Sequence, residues 1–197
     1  MRLLLLLFTV VSAVYAQGKF SDILENPNLS SLKVIIQQYP SFAESINNGS
    51  FGKNTFLAPS NDAINKFKAK SNSTVPTQND IEFLLTYHLL NGSFSSTQLN
   101  STGGVAAKSF LTAPQYNNLN SSGGNVVFAS RYGSSGANTT PSALEIYSGA
   151  GESATVNTTD LTYDYGYVHI VNELGLPFFF IFPPPPSPSP GGNVDKD

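Results

Sequence analysis

Apolar residues at Leu32, Ile35, Ile36, Tyr39, Phe42, Ala43 and Ile46 recur at spacings of three and four, which places them on one side of a helix. Pro40 breaks the run, because it lacks an N–H and pushes Tyr39 away from helical geometry. Ser41 and Glu44 have the spacing of a capping box that restarts a short second helix, and Asn47-Asn48-Gly49 closes it with turn chemistry. Residues 55–58 then read as a short strand stopped by Pro59. Asn61-Asp62 place acceptor oxygens and negative charge at the start of a helix that runs through Phe67. A second capped start follows at residues 77–80. It leads into a narrow stripe of Ile81, Leu84, Leu85, His88 and Leu89 that Asn91-Gly92 terminates.

From Ser93 onward the pattern changes to short alternating runs separated by Gly, Asn and Ser. Strands are predicted at residues 105–111, 125–129, 143–147, 154–156 and 167–172. Helices first and strands afterwards argue for an α+β domain and against a βαβ array. Both ends depart from this texture. Arg2, the apolar run 3–11 and the small-residue site Val14-Tyr15-Ala16 read as a signal peptide over residues 1–16, too short for a membrane span. At the other end, Phe178-Phe179-Phe180-Ile181-Phe182 precedes a proline run. Residues 178–197 therefore read as an aromatic cluster and a disordered, Pro-rich tail of extended polyproline character, without the apolar terminus of a lipid-anchor signal.

Composition narrows the class. The chain has no cysteine, so an extracellular form must be held by its core and not by disulfides. Ten basic residues face 13 acidic ones, for a formal net charge of −3. The lysines at 66, 68 and 70 read as the solvated end of a helix, so no electrostatic footprint for nucleic acid is present. Asn-x-Ser/Thr sequons begin at Asn28, Asn48, Asn72, Asn91, Asn100, Asn120, Asn138 and Asn157, which together with the leader points to a secreted N-glycoprotein. The composition and sequon load fit a fungal source.

Three separated segments carry a further signal: residues 55–64 (TFLAPSNDAI), 84–90 (LLTYHLL) and 166–174 (GYVHIVNEL). In this order and spacing they resemble the fasciclin domain, an extracellular module of adhesion and matrix proteins, over roughly residues 20–177. The resemblance implies a wedge of β-strands flanked by N-terminal helices. It also implies that Phe56, Ala58, Pro59, Asn61, Val168, His169 and Ile170 are structural motif positions. Ser60 stands where the family usually has Thr, Ile64 where it often has Phe, and Asn172 where it often has Asp.

Catalytic chemistry has little to build on. His88 and His169 are the two histidines, and there is no cysteine nucleophile, nucleophile elbow, paired-His metal motif or phosphate-binding glycine loop. No metal or cofactor is expected. The resemblance makes Tyr87-His88 a candidate partner-binding pair, whereas the helical phase of His88 favours a buried imidazole bonded to backbone. Tyr163, Tyr165, Tyr167 and His169 at period two are expected to share one strand face, with Val168 and Ile170 on the core side. That row could bind a sugar, but cross-strand packing is the plainer reading. The expected role is a non-catalytic adhesion or extracellular-matrix module at the cell surface or cell wall, acting on protein or glycan or by self-association. A small apolar-ligand carrier is one alternative. A secreted hydrolase using His88 or His169 beside Asp164 or a serine is another.

Overall fold

The computed structural model describes residues 18–70, 77–100, 104–112, 126–131, 144–149 and 151–174, with the backbone alone for 126–131. The leader at residues 1–16 and the aromatic, Pro-rich tail at 178–197 lie outside the described residues. Helices come first: α1 (Phe20–Ile23), a 3-10 turn (Pro27–Leu29), α2 (Ser30–Gln37) and α3 (Pro40–Asn47). Strand β1 (Asn54–Pro59) leads to α4 (Asn61–Lys70) and α5 (Gln78–Tyr87). Then come β2 (Leu89–Asn91), α6 (Ser96–Leu99), β3 (Val105–Lys108), β4 (Val126–Arg131), β5 (Leu144–Tyr147), β6 (Ser153–Tyr163) and β7 (Gly166–Val171). The protein is thus α+β, with its helices concentrated in the N-terminal half. Among the described residues no helix is long and apolar enough to cross a membrane.

Among the described residues the strands form one seven-stranded sheet in the order β2-β1-β7-β6-β5-β4-β3. Only β1 and β7 run parallel; the other neighbours are antiparallel. The sheet curls until its ends meet. Leu90 bridges Ser109, and the Phe110 N–H donates to the Leu89 carbonyl at 2.8 Å. Unpaired edge groups at this seam are satisfied in that way.

Curling gives β1 and β7 two buried faces. Phe56, Ala58, Val168 and Ile170 join Phe20, Leu32, Ile36, Phe42 and Ile46 in a core between sheet and helices. Leu57 and Val171 join Tyr87, Leu90, Leu99 and Ile146 in a second core on the other face. Aromatic edges tie the first core together: Phe20 meets Phe56 edge-on at 5.4 Å, and Phe51 lies 5.1 Å from Phe110.

Several sequence expectations are corrected here. The break into two helices is as expected, but no Ser41–Glu44 capping box stands after Pro40. Pro40 is itself the first residue of α3, where its missing N–H costs nothing, and Tyr39 occupies the N-cap position without a side-chain bond. Ser41 therefore sits two residues past the cap position. The second capped start is as expected, with Thr77 and Asp80 bonded reciprocally. Leu89 and Leu90 do not extend α5; the chain leaves the helix at His88 and becomes strand β2. The predicted strand at 154–156 is the start of the eleven-residue β6, which register shifts between Val156 and Leu161 disguise in the sequence.

Candidate functional site: three motifs meeting at one strand

Strand β1 is flanked by both other motifs. On one side β7 pairs with it in parallel, so that Phe56 faces Val168, Leu57 faces His169 and Ala58 faces Ile170. On the other side β2 follows directly from Tyr87-His88 and pairs Phe56 with Leu89. The Leu57 N–H donates to the His88 carbonyl at 2.9 Å. Leu57 thus lies between the backbones of the two histidines, and segments 55–64, 84–90 and 166–174 form a single structural centre.

Each motif residue has a local task. Pro59 ends β1, and the Ser60 hydroxyl accepts the Ala63 N–H at 3.2 Å, capping α4. Asn61 caps a different helix. Its Oδ1 accepts the Ser31 N–H at 2.8 Å and its Nδ2 donates to the Pro27 carbonyl at 2.9 Å, which fastens α4 to the start of α2. Asn172 accepts the Thr155 N–H at 2.8 Å, an acceptor role that a side-chain amide fills without a charge.

Tyr87 and His88 are interior residues, 2% and 4% exposed. Their rings meet edge to face at 5.9 Å. The His88 Nδ1–H donates to the Leu84 carbonyl at 2.8 Å, and burial pushes the imidazole pKa down to about 4. The ring is therefore neutral at ordinary pH and a poor general base. Burial likewise pushes the Tyr87 phenol up to about 12, and its oxygen accepts the Gly149 N–H at 2.8 Å. A cavity of about 20 Å³ bounded in part by Tyr87, His88, Ser148 and Glu152 has room for one water.

A fasciclin domain profile matches residues 27–177, spanning all three segments. The chain belongs to the fasciclin-domain family. Among solved structures it is similar to the FAS1 domain pair from the insect cell adhesion molecule fasciclin I, with a TM-score of 0.57 and 21% identity. That likeness covers 77% of this chain and 46% of the other, so the chain spans less than half of the insect domain pair and shares its fold. Comparison with curated proteins finds no match.

His169 of this fasciclin domain is wholly buried, at 0% exposure. Its Nε2–H donates to the Phe94 carbonyl at 2.9 Å, and its Nδ1 accepts the Asp160 N–H at 3.1 Å. Burial lowers its pKa, against the opposing pull of the Phe94 carbonyl and the Asp160 carboxylate. Asp160 in turn accepts from the Ser96 N–H at 2.7 Å and from the Ser96 hydroxyl. Burial alone would raise the Asp160 pKa, but the Ser96 bonds, His169 and Thr159 outweigh it and hold the carboxyl low. Serine, histidine and aspartate are thus neighbours, yet the hydroxyl is bonded to the carboxylate and both ring nitrogens are occupied by backbone. That wiring fixes a loop; it does not activate a nucleophile. Asp164, the other carboxylate considered, is exposed in the β6–β7 turn.

The expected row of Tyr163, Tyr165, Tyr167 and His169 is not one strand face. The chain turns at residues 164–165, so Tyr163 pairs with Gly166 across a hairpin and lies in the first core with Val168. Its hydroxyl donates to Asn54 Oδ1. Tyr167 and His169 do share a face, with rings stacked at 6.2 Å. Asp160 and Ser96 carried no sequence signal, since neither belongs to a periodic run.

Of the sequons, Asn28, Asn48, Asn91 and Asn157 are exposed and Asn100 is half-buried; Asn72, Asn120 and Asn138 lie outside the described residues. Among the described residues no group of three or more His, Asp or Glu side chains could hold a metal ion.

Proposed function

We propose that this fasciclin domain is a secreted, N-glycosylated, non-catalytic adhesion module of the cell surface or cell wall, acting through contacts to protein or glycan, or to further copies of itself. The family match across residues 27–177 carries the reading, and the insect relative of the same fold is a cell adhesion molecule. The interior positions of His88 and His169 favour a non-catalytic role. Val34, 56% exposed, is the large apolar side chain standing out into water among the described residues. Contacts through the described surface are therefore mainly polar and individually weak, and adhesion draws on many copies in this reading. Linking weak sites raises apparent affinity by about 10²–10⁴ without new contacts. The segment 183–190 serves as a spacer between copies and surface in this reading. Tyr87-His88 would reach a partner only after local opening, so it is the less favoured contact.

The test compares soluble monomer with the same protein densely displayed on beads, each offered to cells and to wall glycan. Displayed protein should bind well and monomer poorly, and shortening 183–190 should weaken only the displayed form. Equal binding by both forms, or turnover of a small substrate by the monomer, would overturn the proposal.

A further inference from the structure

Strand β6 is bulged opposite His169. Thr158 pairs with Ile170 and Leu161 with Val168, so Thr159 and Asp160 together stand against one residue of β7. The bulge carries the positive φ of Asp160, and the Asp160 N–H donates to His169 Nδ1 at 3.1 Å. A backbone donor there fixes Nδ1 as an acceptor, so the ring proton sits on Nε2 and goes to the Phe94 carbonyl at 2.9 Å. One neutral imidazole thus ties the bulge to the segment that leads into α6. The Ser96 N–H and hydroxyl, both bonded to the Asp160 carboxylate, join the same two pieces directly.

This wiring fits the neutral ring alone. A second ring proton would stand on Nδ1 and face the Asp160 N–H donor to donor, in a fully buried side chain. Its surroundings do little for a positive charge. Among the described residues β6 presents the Asp160 carboxylate, which Ser96 and Thr159 already engage. The other sides are uncharged: the stacked Tyr167 ring on β7, the Phe94 carbonyl before α6, and Leu57 of β1 in register. Burial accordingly holds the imidazole pKa below its ordinary value. An imidazolium here needs water, and water reaches it when the bulge parts from β7. We propose that the β6 bulge and α6 form an acid-operated flap: protonation of His169 at Nδ1 expels the Asp160 N–H, and residues 94–100 and 158–161 swing off β7 as one piece. Ser96 and Asp160 stay bonded to each other, so the two segments open together. Opening uncovers the buried Leu99 and the half-buried Phe94 while β1 and β7 stay paired. The flap does not depend on the adhesion reading, since its opening is measured without any partner.

Hydrogen–deuterium exchange of the full secreted chain, read by mass spectrometry in mild acid and corrected for the intrinsic rate, tests it. The closed flap is complete above pH 6.5, the ordinary histidine value, and is lost as pH falls below it. Peptides covering 94–100 and 158–161 should therefore gain exchange together, by up to about tenfold per pH unit, while peptides of β1 and β7 stay protected. His169→Asn keeps an acceptor for the Asp160 N–H and cannot titrate, so it should flatten that gain. His88→Ala should leave the gain in place, which separates the flap from acid loss of the whole fold. Exchange of both segments in the parent only in step with β1 and β7 would overturn the proposal, whether or not His169→Asn folds. So would a gain in one segment without the other, or a parent-like gain in folded His169→Asn.

Discussion

Asn61 Oδ1 accepts the backbone N–H of Ser31 at 2.8 Å, so the asparagine that opens α4 caps the start of α2 thirty residues earlier. The first turn of α2 has no cap of its own, because Leu29 occupies its N-cap position without a side-chain bond. Ser60 serves α4. One short segment thus closes two helix ends and fixes how they sit against each other.

Replacing Asn61 by Ala should therefore cost about 1–2 kcal/mol, the usual loss for a removed cap. Asn61→Asp keeps the acceptor for Ser31 but loses the donor to Pro27, and should cost less. Urea denaturation of the three proteins checks the ranking. An alanine variant as stable as the parent would mean that water satisfies the α2 terminus.

The two histidines make the fold sensitive to mild acid. In the unfolded chain His88 titrates at 6.5, whereas the folded pKa is about 4, so the unfolded state gains a proton first as pH falls. Stability is therefore full above pH 6.5, declines between 6.5 and about 4, and levels off below, by about 3 kcal/mol from this residue. His169 shifts in the same direction and adds to the decline. His88→Ala should cost about 1–3 kcal/mol at neutral pH through the unpaired Leu84 carbonyl and lost packing, and should flatten the acid limb. An unchanged melting temperature with lost cell binding would instead make Tyr87-His88 a recognition site.

Whether such features could be read from sequence depended on how locally they are wired. Thr77 and Asp80 satisfy each other across three residues, and their box was legible. Asn61 looked like the cap of its own helix because its true partner, Ser31, is distant in sequence. The resemblance gave the order of the three motifs but not their convergence on β1, since no single spacing encodes the parallel pairing of Phe56 with Val168. The tyrosine row failed because alternation continues through the turn at residues 164–165, where the chain reverses. β2 was hidden because Leu89 and Leu90 also suit a helix, and the exit at His88 uses no glycine.

Close backbone approach between β1 and β7 leaves no room at Gly166. A Cβ there would stand 1.7 Å from the Asn54 carbonyl oxygen. Gly166→Ala should force the parallel pair apart and cost about 3 kcal/mol or more. Gly52 provides the contrast. It has φ of +64° but nothing within 4 Å of an added Cβ, so Gly52→Ala should cost only about 1–2 kcal/mol of backbone strain. Comparable losses at both sites would show that the β1–β7 contact can relax.

Sugar should be found first on the exposed sequons. Asn28, Asn48, Asn91 and Asn157 stand clear of the core, while Asn100 is half-buried beside α6. Glycopeptide mass spectrometry of secreted material should show higher occupancy at those four than at Asn100. The reverse order would mean that transfer precedes folding of the β2–β3 region.

Asp160 sets two energies against each other. It is the one non-glycine residue with positive φ among the described residues, at 58°, which aspartate tolerates at a cost of about 1 kcal/mol. Its carboxylate accepts the Ser96 N–H and hydroxyl at the start of α6, each bond to a charged acceptor worth about 1.5–3 kcal/mol. Glycine at this position removes the strain and both bonds, so Asp160→Gly should be net destabilising. Asp160→Asn keeps an acceptor and a residue suited to left-handed backbone, and should lie between glycine and parent. The carboxyl is held low when folded, so its contribution is complete above the ordinary aspartate range and is lost as pH falls through the folded value. The gap between parent and Asp160→Asn should therefore be constant at neutral pH and narrow only in strong acid, below the window in which the histidines act. A glycine variant more stable than the parent would show that the Ser96 bonds contribute less than the backbone strain.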